Sequence, residues 1–166
     1  MNFQLHALPK SLRRALTVFL LALSFGYFSG LDMLKQATDF KAKGVEQNVL
    51  GSEIDETAEE LHFKMSEREL QGIIHDHVIS LAILFLLLSV MLYFSSYNEA
   101  LKNFLMLEPT ISLVVTFGGL WMLWFGISWM KYIIMISGIL MHLSIIAIIL
   151  LLLKDLTLHR SYFSKE

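Results

Sequence analysis

Hydrophobic residues along the chain fall into four long runs that are separated by more polar segments. The runs cover roughly residues 12–31, 77–97, 111–130 and 132–153, and none carries a charge in its central part. A helix needs about 20 consecutive apolar residues to cross the hydrocarbon of a membrane. The pattern therefore predicts an all-α fold, a polytopic membrane four-helix bundle.

The second helix is expected to begin before its apolar run. Ser66 is followed three residues later by Glu69, which is the pattern of a capping box at a helix start. We therefore predict a helix over about 66–97 that projects beyond the membrane. Residues 32–65 form the loop between the first two helices, and the whole chain, 1–166, forms a single membrane domain.

This loop is expected to be partly helical and to lie outside the cytoplasm. A capping-like signal begins at Ser52, and Ile54, Ala58 and Leu61 then share one helical face. We expect this short helix to pack on the outer end of the bundle, because isolated helices of that length are marginal in water. Phe63 is expected to join that contact.

Two further features concern the helices themselves. Gly26 and Gly30 form a GxxxG pattern, which lets another helix approach closely. Pro109 is expected to end the loop after the second helix and to start the third, since proline is favoured in a first helical turn.

Charge predicts the orientation. Lys10, Arg13 and Arg14 precede the first run, whereas most of the acidic residues lie in segment 32–76. The positive-inside rule then places both termini in the cytoplasm and segment 32–76 outside. The first run lacks a small-x-small cleavage site, so we expect it to be retained as a helix.

The composition limits which partners and cofactors are expected. The chain is 55% hydrophobic and 17% charged, so the lipid bilayer is its main surrounding. It has no cysteine, which excludes thiolate ligands and the covalent attachment of c-type haem. A net charge of −2 argues against a nucleic-acid partner. Other membrane-protein subunits, or a homo-oligomer, are the expected protein partners.

Histidines are the candidates for chemistry. His142 lies near the middle of the last run, with Gly138 one turn away on the same face, and ionisable residues at that depth are rare. His75 and His77 diverge by about 200° around a helix. His77 continues the inward apolar stripe, whereas His75 points toward the loop, where His62 and carboxylates could complete a metal site.

These positions leave several interpretations open. His77, His142 and the neighbouring Gly138 could hold a haem b non-covalently, or His75, His77 and His142 could bind a transition metal. His77 and His142 differ in depth, so methionine could supply a second axial ligand to either. In the alternative, no cofactor binds: His142 is hydrogen-bonded within the bundle, and His75 and His77 are polar residues at a helix end.

The stretch "GVEQNVLG…LHFKMSERELQGIIHDHVISLAILF" resembles a small family of bacterial four-helix inner-membrane proteins. The shared pattern is Glu69-Leu70 followed by His75-Asp76-His77, an H-x-H at the start of the second span. The resemblance implies that the two histidines are characteristic of the family, and it implies no activity.

Two functions are therefore expected, in order. The first is a membrane subunit that binds haem b or a transition metal and supports electron transfer in a larger respiratory-type assembly. The second is a non-catalytic accessory or assembly subunit of a membrane complex. A transporter or intramembrane enzyme ranks below both, because no Ser/His pair, paired carboxylates or broken helix is evident. We do not expect the chain to be an enzyme on its own.

Overall fold

The computed structural model describes residues 4–52 and 63–158, and every regular element in these ranges is a helix. Within them, a short 3₁₀ helix, Leu5–Ala7, precedes five α-helices. These are α1 (Lys10–Thr38), α2 (Ala42–Leu50), α3 (Glu67–Tyr93), α4 (Glu99–Trp124) and α5 (Met130–Leu158). All except α2 are long and apolar enough to cross a membrane, which confirms the predicted all-α, polytopic four-span architecture.

The four long helices give the bundle two distinct ends. At the terminal end, the Leu5 amide donates to the Phe94 carbonyl at 2.8 Å, and the Arg13 guanidinium donates to the Leu156 carbonyl. Both described chain ends therefore lie together. At the opposite end, which we call the corner end, α1 turns into α2 and α4 turns into α5.

Local capping fixes the start of α3. The Ser66 hydroxyl accepts a hydrogen bond from the Glu69 amide at 3.2 Å, as the sequence predicts. The helix then runs for 27 residues, or about 40 Å at 1.5 Å per residue. It ends at Tyr93, before residue 97, because the chain turns through Ser95, whose amide and hydroxyl both bond to the Leu92 carbonyl.

The prediction for Pro109 is wrong, because this proline lies inside α4. The helix already begins at Glu99, where the Asn98 side-chain oxygen accepts from the Ala100 and Leu101 amides at 2.8 and 3.2 Å. Proline lacks an N–H and so removes one helical hydrogen bond. Membrane helices tolerate this loss when neighbouring helices pack around it, and Pro109 is buried.

Helices α3, α4 and α5 form the packed part of the bundle. Gly119 of α4 lies so close to Ile134 of α5 that a Cβ would fall 2.8 Å from its side chain. At the terminal end, Leu88 and Leu92 of α3 share a core with Leu152 of α5. In contrast, α1 is mostly exposed to the surroundings, which for a membrane span are lipid tails; its buried residues are Leu20 and Thr38.

The corner end is covered by α2, which sequence analysis did not predict. Val45 and Val49 are one turn apart and bury against α4 and α5. The following segment is anchored by Trp124, whose indole N–H donates to the Met65 carbonyl at 2.7 Å. The predicted loop helix over Ile54, Ala58 and Leu61 lies outside the described residues. Phe63 does not pack as expected, since it is 72% exposed.

Candidate cofactor cavity

A cavity of about 760 Å³ lies between the helices in the half of the bundle nearest the corner end. It is bounded by α1, α3, α4 and α5, and α2 contributes Val45, Asn48 and Val49. Most of its wall is apolar. Its volume is within the range of roughly 300–1,000 Å³ that small-molecule and cofactor sites occupy.

Glycines give the cavity much of its space. Gly26 and Gly30 of α1 and Gly138 of α5 all line it, and a Cβ added at any of the three would meet no atom within 4 Å. The expectation that Gly26 and Gly30 bring another helix into contact is therefore wrong within this chain. A cavity wall lies at these positions because α1 stands away from the rest of the bundle there.

His142 enters the cavity from α5 and is half-buried. The Tyr27 hydroxyl of α1 shares a hydrogen bond with its Nδ1, and the two rings meet edge to face with centroids 5.6 Å apart. Gly138 lines the cavity one turn away. When Nδ1 carries the proton and donates it to the Tyr27 oxygen, the lone pair of Nε2 is available to a ligand.

His77 lines the cavity from α3, although the residue is exposed like His75. Its Nδ1 donates to the Ile73 carbonyl, one turn earlier in the helix, at 2.9 Å. This bond places the proton on Nδ1 and leaves the lone pair on Nε2 when the ring is neutral. One face of the ring lies against Phe117 of α4, with centroids 5.6 Å apart. The imidazole is thus oriented by its own helix on one side and by α4 on another.

The structure brings His77 and His142 to one cavity, but not His75. The His75 side chain is exposed on α3 and does not line the cavity. His62, the suggested partner of His75, lies outside the described residues. Within 4–52 and 63–158, no three His, Cys, Asp or Glu side chains come together as a metal-ion site would require.

Helix α2, which covers the corner end of the bundle as a lid, is held there by the tight turn that precedes it and by an ion pair. Asp39 and Phe40 both have left-handed backbone conformations, with φ of 51° and 52°. Lys41 bonds to Asp39 and lowers the pKa of that carboxyl. At the other side of the lid, Glu46 of α2 is paired with Lys131 at the start of α5. The Asp39–Lys41 pair lies within the turn between α1 and α2, whereas the Glu46–Lys131 pair connects α2 to α5.

One buried carboxyl group beside this cavity, that of Glu108, was not among the residues selected from the sequence. Glu108 was expected in the loop before the third span, yet it is buried inside α4, where the Ser112 hydroxyl bonds to it. Thr116, one turn farther, lines the cavity. The signal was present in the sequence, since Glu108, Ser112 and Thr116 recur every four residues among apolar neighbours, which is one face of a helix.

Comparison with known proteins identifies the family of the chain. No curated protein and no solved structure shows significant similarity to it. Residues 39–162 match the sequence profile of the family Aq_1264_TM, which is described as a transmembrane helical domain. That range includes α2 to α5 and with them both cavity histidines. The chain therefore belongs to this family of transmembrane helical domains.

Proposed function

We propose that this protein is a small integral membrane subunit that binds a haem b in its cavity through His77 and His142. The observation that carries the proposal is that both imidazoles line the same largely apolar cavity and each already uses Nδ1 in a hydrogen bond. Histidines that ligate metals almost always donate their other N–H, as His77 does to Ile73 and as His142 does when its Nδ1 carries the proton. The Nε2 atoms are then the ligand atoms.

The donor set favours a haem over a bare transition-metal ion. A porphyrin supplies four nitrogens, so its iron needs only one or two protein ligands, whereas a structural zinc site needs about four. The cavity offers two imidazoles, together with Met135 and Met141 as thioethers. Its apolar wall would exclude water from the porphyrin, and its size is that of a cofactor site.

A haem in this position would supply one-electron redox chemistry. The residues of this chain would orient the two imidazoles that hold the haem through Tyr27 and Ile73 and pack Phe117 against the His77 ring. We therefore place the protein as an electron-transfer subunit beside a larger respiratory-type assembly. The proposed orientation puts the chain termini in the cytoplasm of a bacterium and the cavity in the outer half of its inner membrane, because the basic residues Lys10 and Arg14 lie at the terminal end.

The test is the visible spectrum of the purified protein, reduced minus oxidised. We expect a b-type haem spectrum that His77→Ala and His142→Ala each abolish or strongly reduce. His75→Ala is the matched control, because that side chain is two residues away on α3 and outside the cavity. It should leave haem content unchanged.

Two results would contradict the proposal. Full haem content in the His77→Ala, His142→Ala double variant would place any haem elsewhere. A wild-type protein that takes up no haem, either during expression or on titration with free haem, would favour the alternative of an accessory subunit without a cofactor.

A further inference from the structure

A carboxyl group lies buried in the part of the bundle that the haem proposal does not use. Glu108 is 6% exposed, the Ser112 hydroxyl donates to its Oε1, and its Oε2 has no hydrogen-bond partner among the described residues. It follows Glu99, the first residue of α4, by nine positions, or about 14 Å at 1.5 Å per residue, so it lies within the roughly 30 Å of hydrocarbon. Ionisable groups at such depth usually mark ion or proton pathways.

Hydroxyl groups continue from Glu108 toward the cavity. Ser112 and Thr116 follow it at intervals of one helical turn on the same buried face of α4. The Thr116 hydroxyl lies 2.7 Å from the Ser137 hydroxyl of α5, and Thr116 lines the cavity. Side chains one turn apart have Cβ atoms about 5–6 Å apart, a gap that one bridging water can span. Ser112 and Thr116, which we call the stripe, thus lie between the Glu108 carboxyl and the cavity.

Among the described residues, the helices that pack around Glu108 present no counter-ion to it. The contact between Thr116 and Ser137 sets the antiparallel register of α4 and α5, and this register places Glu108 opposite Ile145. At this level the buried polar groups are serines: Ser89 of α3, which donates to the Met106 carbonyl, and Ser144 of α5.

The nearest titratable groups along α5 lie on either side of this level. His142 is three residues toward the cavity, whereas Lys154, whose side chain is exposed, and Asp155 are nine and ten residues toward the terminal end. The Asp155 Oδ1 accepts from the Ser96 hydroxyl at 2.7 Å, and its Oδ2 has no hydrogen-bond partner among the described residues. On α1, Tyr27 is bonded to His142. In the part of the chain that the structure describes, no cation is paired with Glu108.

We propose that Glu108 is a proton-binding site inside the membrane, and that its proton exchanges with the cavity along the Ser112 and Thr116 hydroxyls. An uncompensated carboxylate is costly in hydrocarbon, and a proton neutralises it with a single bond. A metal cation would need several oxygen ligands, whereas Ser112 is the only described residue that is hydrogen-bonded to the Glu108 carboxyl. The proposal does not rest on a haem in the cavity.

The proton on Glu108 is tested by infrared spectroscopy of the full-length protein in lipid vesicles. We expect a carboxylic-acid C=O stretching band that is lost in Glu108→Gln. The glutamine keeps an oxygen that accepts from Ser112, so this variant should fold. Glu99→Gln, which changes an exposed carboxyl at the start of the same helix, is the control and should keep the band.

The route is tested by the rate at which this band shifts when the vesicles are transferred to heavy water. Ser112→Ala and Thr116→Val should each slow the exchange several-fold. Ser89→Ala removes a buried serine of the same neighbourhood that is outside the stripe and should leave the rate unchanged. Equal exchange rates in all variants would overturn the route. A band that is absent, or that persists unchanged in Glu108→Gln, would overturn proton binding.

Discussion

Tyr27 of α1 and His142 of α5 are joined by a hydrogen bond at the edge of the cavity. The bond connects the least buried of the four spanning helices to the packed helix pair α4 and α5. It also fixes the plane of an imidazole that would otherwise rotate, because the space beside Gly138 is open. One contact thus holds both a helix and a candidate ligand in position.

Changing Tyr27 to phenylalanine tests this double role. The ring contact with His142 remains, but the hydrogen bond is lost. We expect the free energy of unfolding to fall by about 0.5–1.5 kcal/mol, which is the usual net contribution of one hydrogen bond. If a haem binds, its affinity should fall by roughly 10–100-fold, as for other partners of ligating histidines. Haem titration of the apoprotein measures the second effect.

Tyr93→Phe is the control for this change. Tyr93 is also an aromatic residue of a spanning helix, but it lies at the terminal end and is 60% exposed. It should bind haem like the wild type. A Tyr27→Phe variant with unchanged haem affinity and unchanged stability would show that the hydrogen bond neither fixes α1 nor orients His142.

Filling the cavity should prevent cofactor binding without touching a histidine. In Gly138→Leu the new side chain has open space to enter, so we expect normal helix content by circular dichroism and little bound haem. Gly118→Leu is the matched control, since Gly118 is also a helical glycine with free space around it, but it lies on the exposed side of α4. If Gly138→Leu bound as much haem as Gly118→Leu, the haem would not occupy this cavity.

The four spans were predictable because a helix that crosses the hydrocarbon needs about 20 consecutive apolar residues, and such runs can be seen in the sequence itself. The start of α3 was predictable for a similar reason: the bond between Ser66 and Glu69 is made within one turn. The start of α4 was missed, although its Asn98 cap is equally local. When read along the chain, Lys102, Glu108 and Pro109 resemble a loop, whereas in the structure Glu108 and Pro109 are buried inside a continuous helix.

The candidate site shows the same division between local and distant effects. His77 and His142 can be selected from the sequence, since each is a polar residue in an apolar stretch. Their meeting in one cavity depends on how far α1 stands from the other helices, and that distance follows from many contacts along the bundle. Likewise, α2 is recognised only in the structure, where Val45 and Val49 pack against α4 and α5.

The corner between α1 and α2 should be sensitive to a single methyl group. A Cβ at Gly44 would lie 1.9 Å from the Thr38 carbonyl oxygen, so Gly44→Ala must displace one backbone segment from the other. We expect faster hydrogen exchange over residues 42–50, because α2 loses its contact with the cavity end. Gly72→Ala on α3, where a Cβ meets nothing, should instead be neutral or stabilise by about 0.5–1 kcal/mol. Unchanged exchange in Gly44→Ala would mean that the corner adapts.

The orientation in the membrane is tested by reporter fusions. Because residues 5 and 156 lie at the same end of the bundle, a reporter at Glu56 and one at Lys165 should be on opposite sides. A phosphatase that is active only outside the cytoplasm should be active at Glu56 and inactive at Lys165. Activity at both positions, or at neither, would contradict four spans.

The cause of the orientation can be separated from the number of spans. Lys10 and Arg14 are exposed at the terminal end, so replacing both with glutamine removes positive charge without breaking the bond from Arg13 to Leu156. By the positive-inside rule, a fraction of the molecules should then insert in the reverse direction, which lowers phosphatase activity at Glu56. The control replaces Lys35 and Lys41, two lysines near the corner end, and should not reduce that activity. If the Lys10 and Arg14 replacements had no more effect than the control, charge at the terminal end would not determine the orientation.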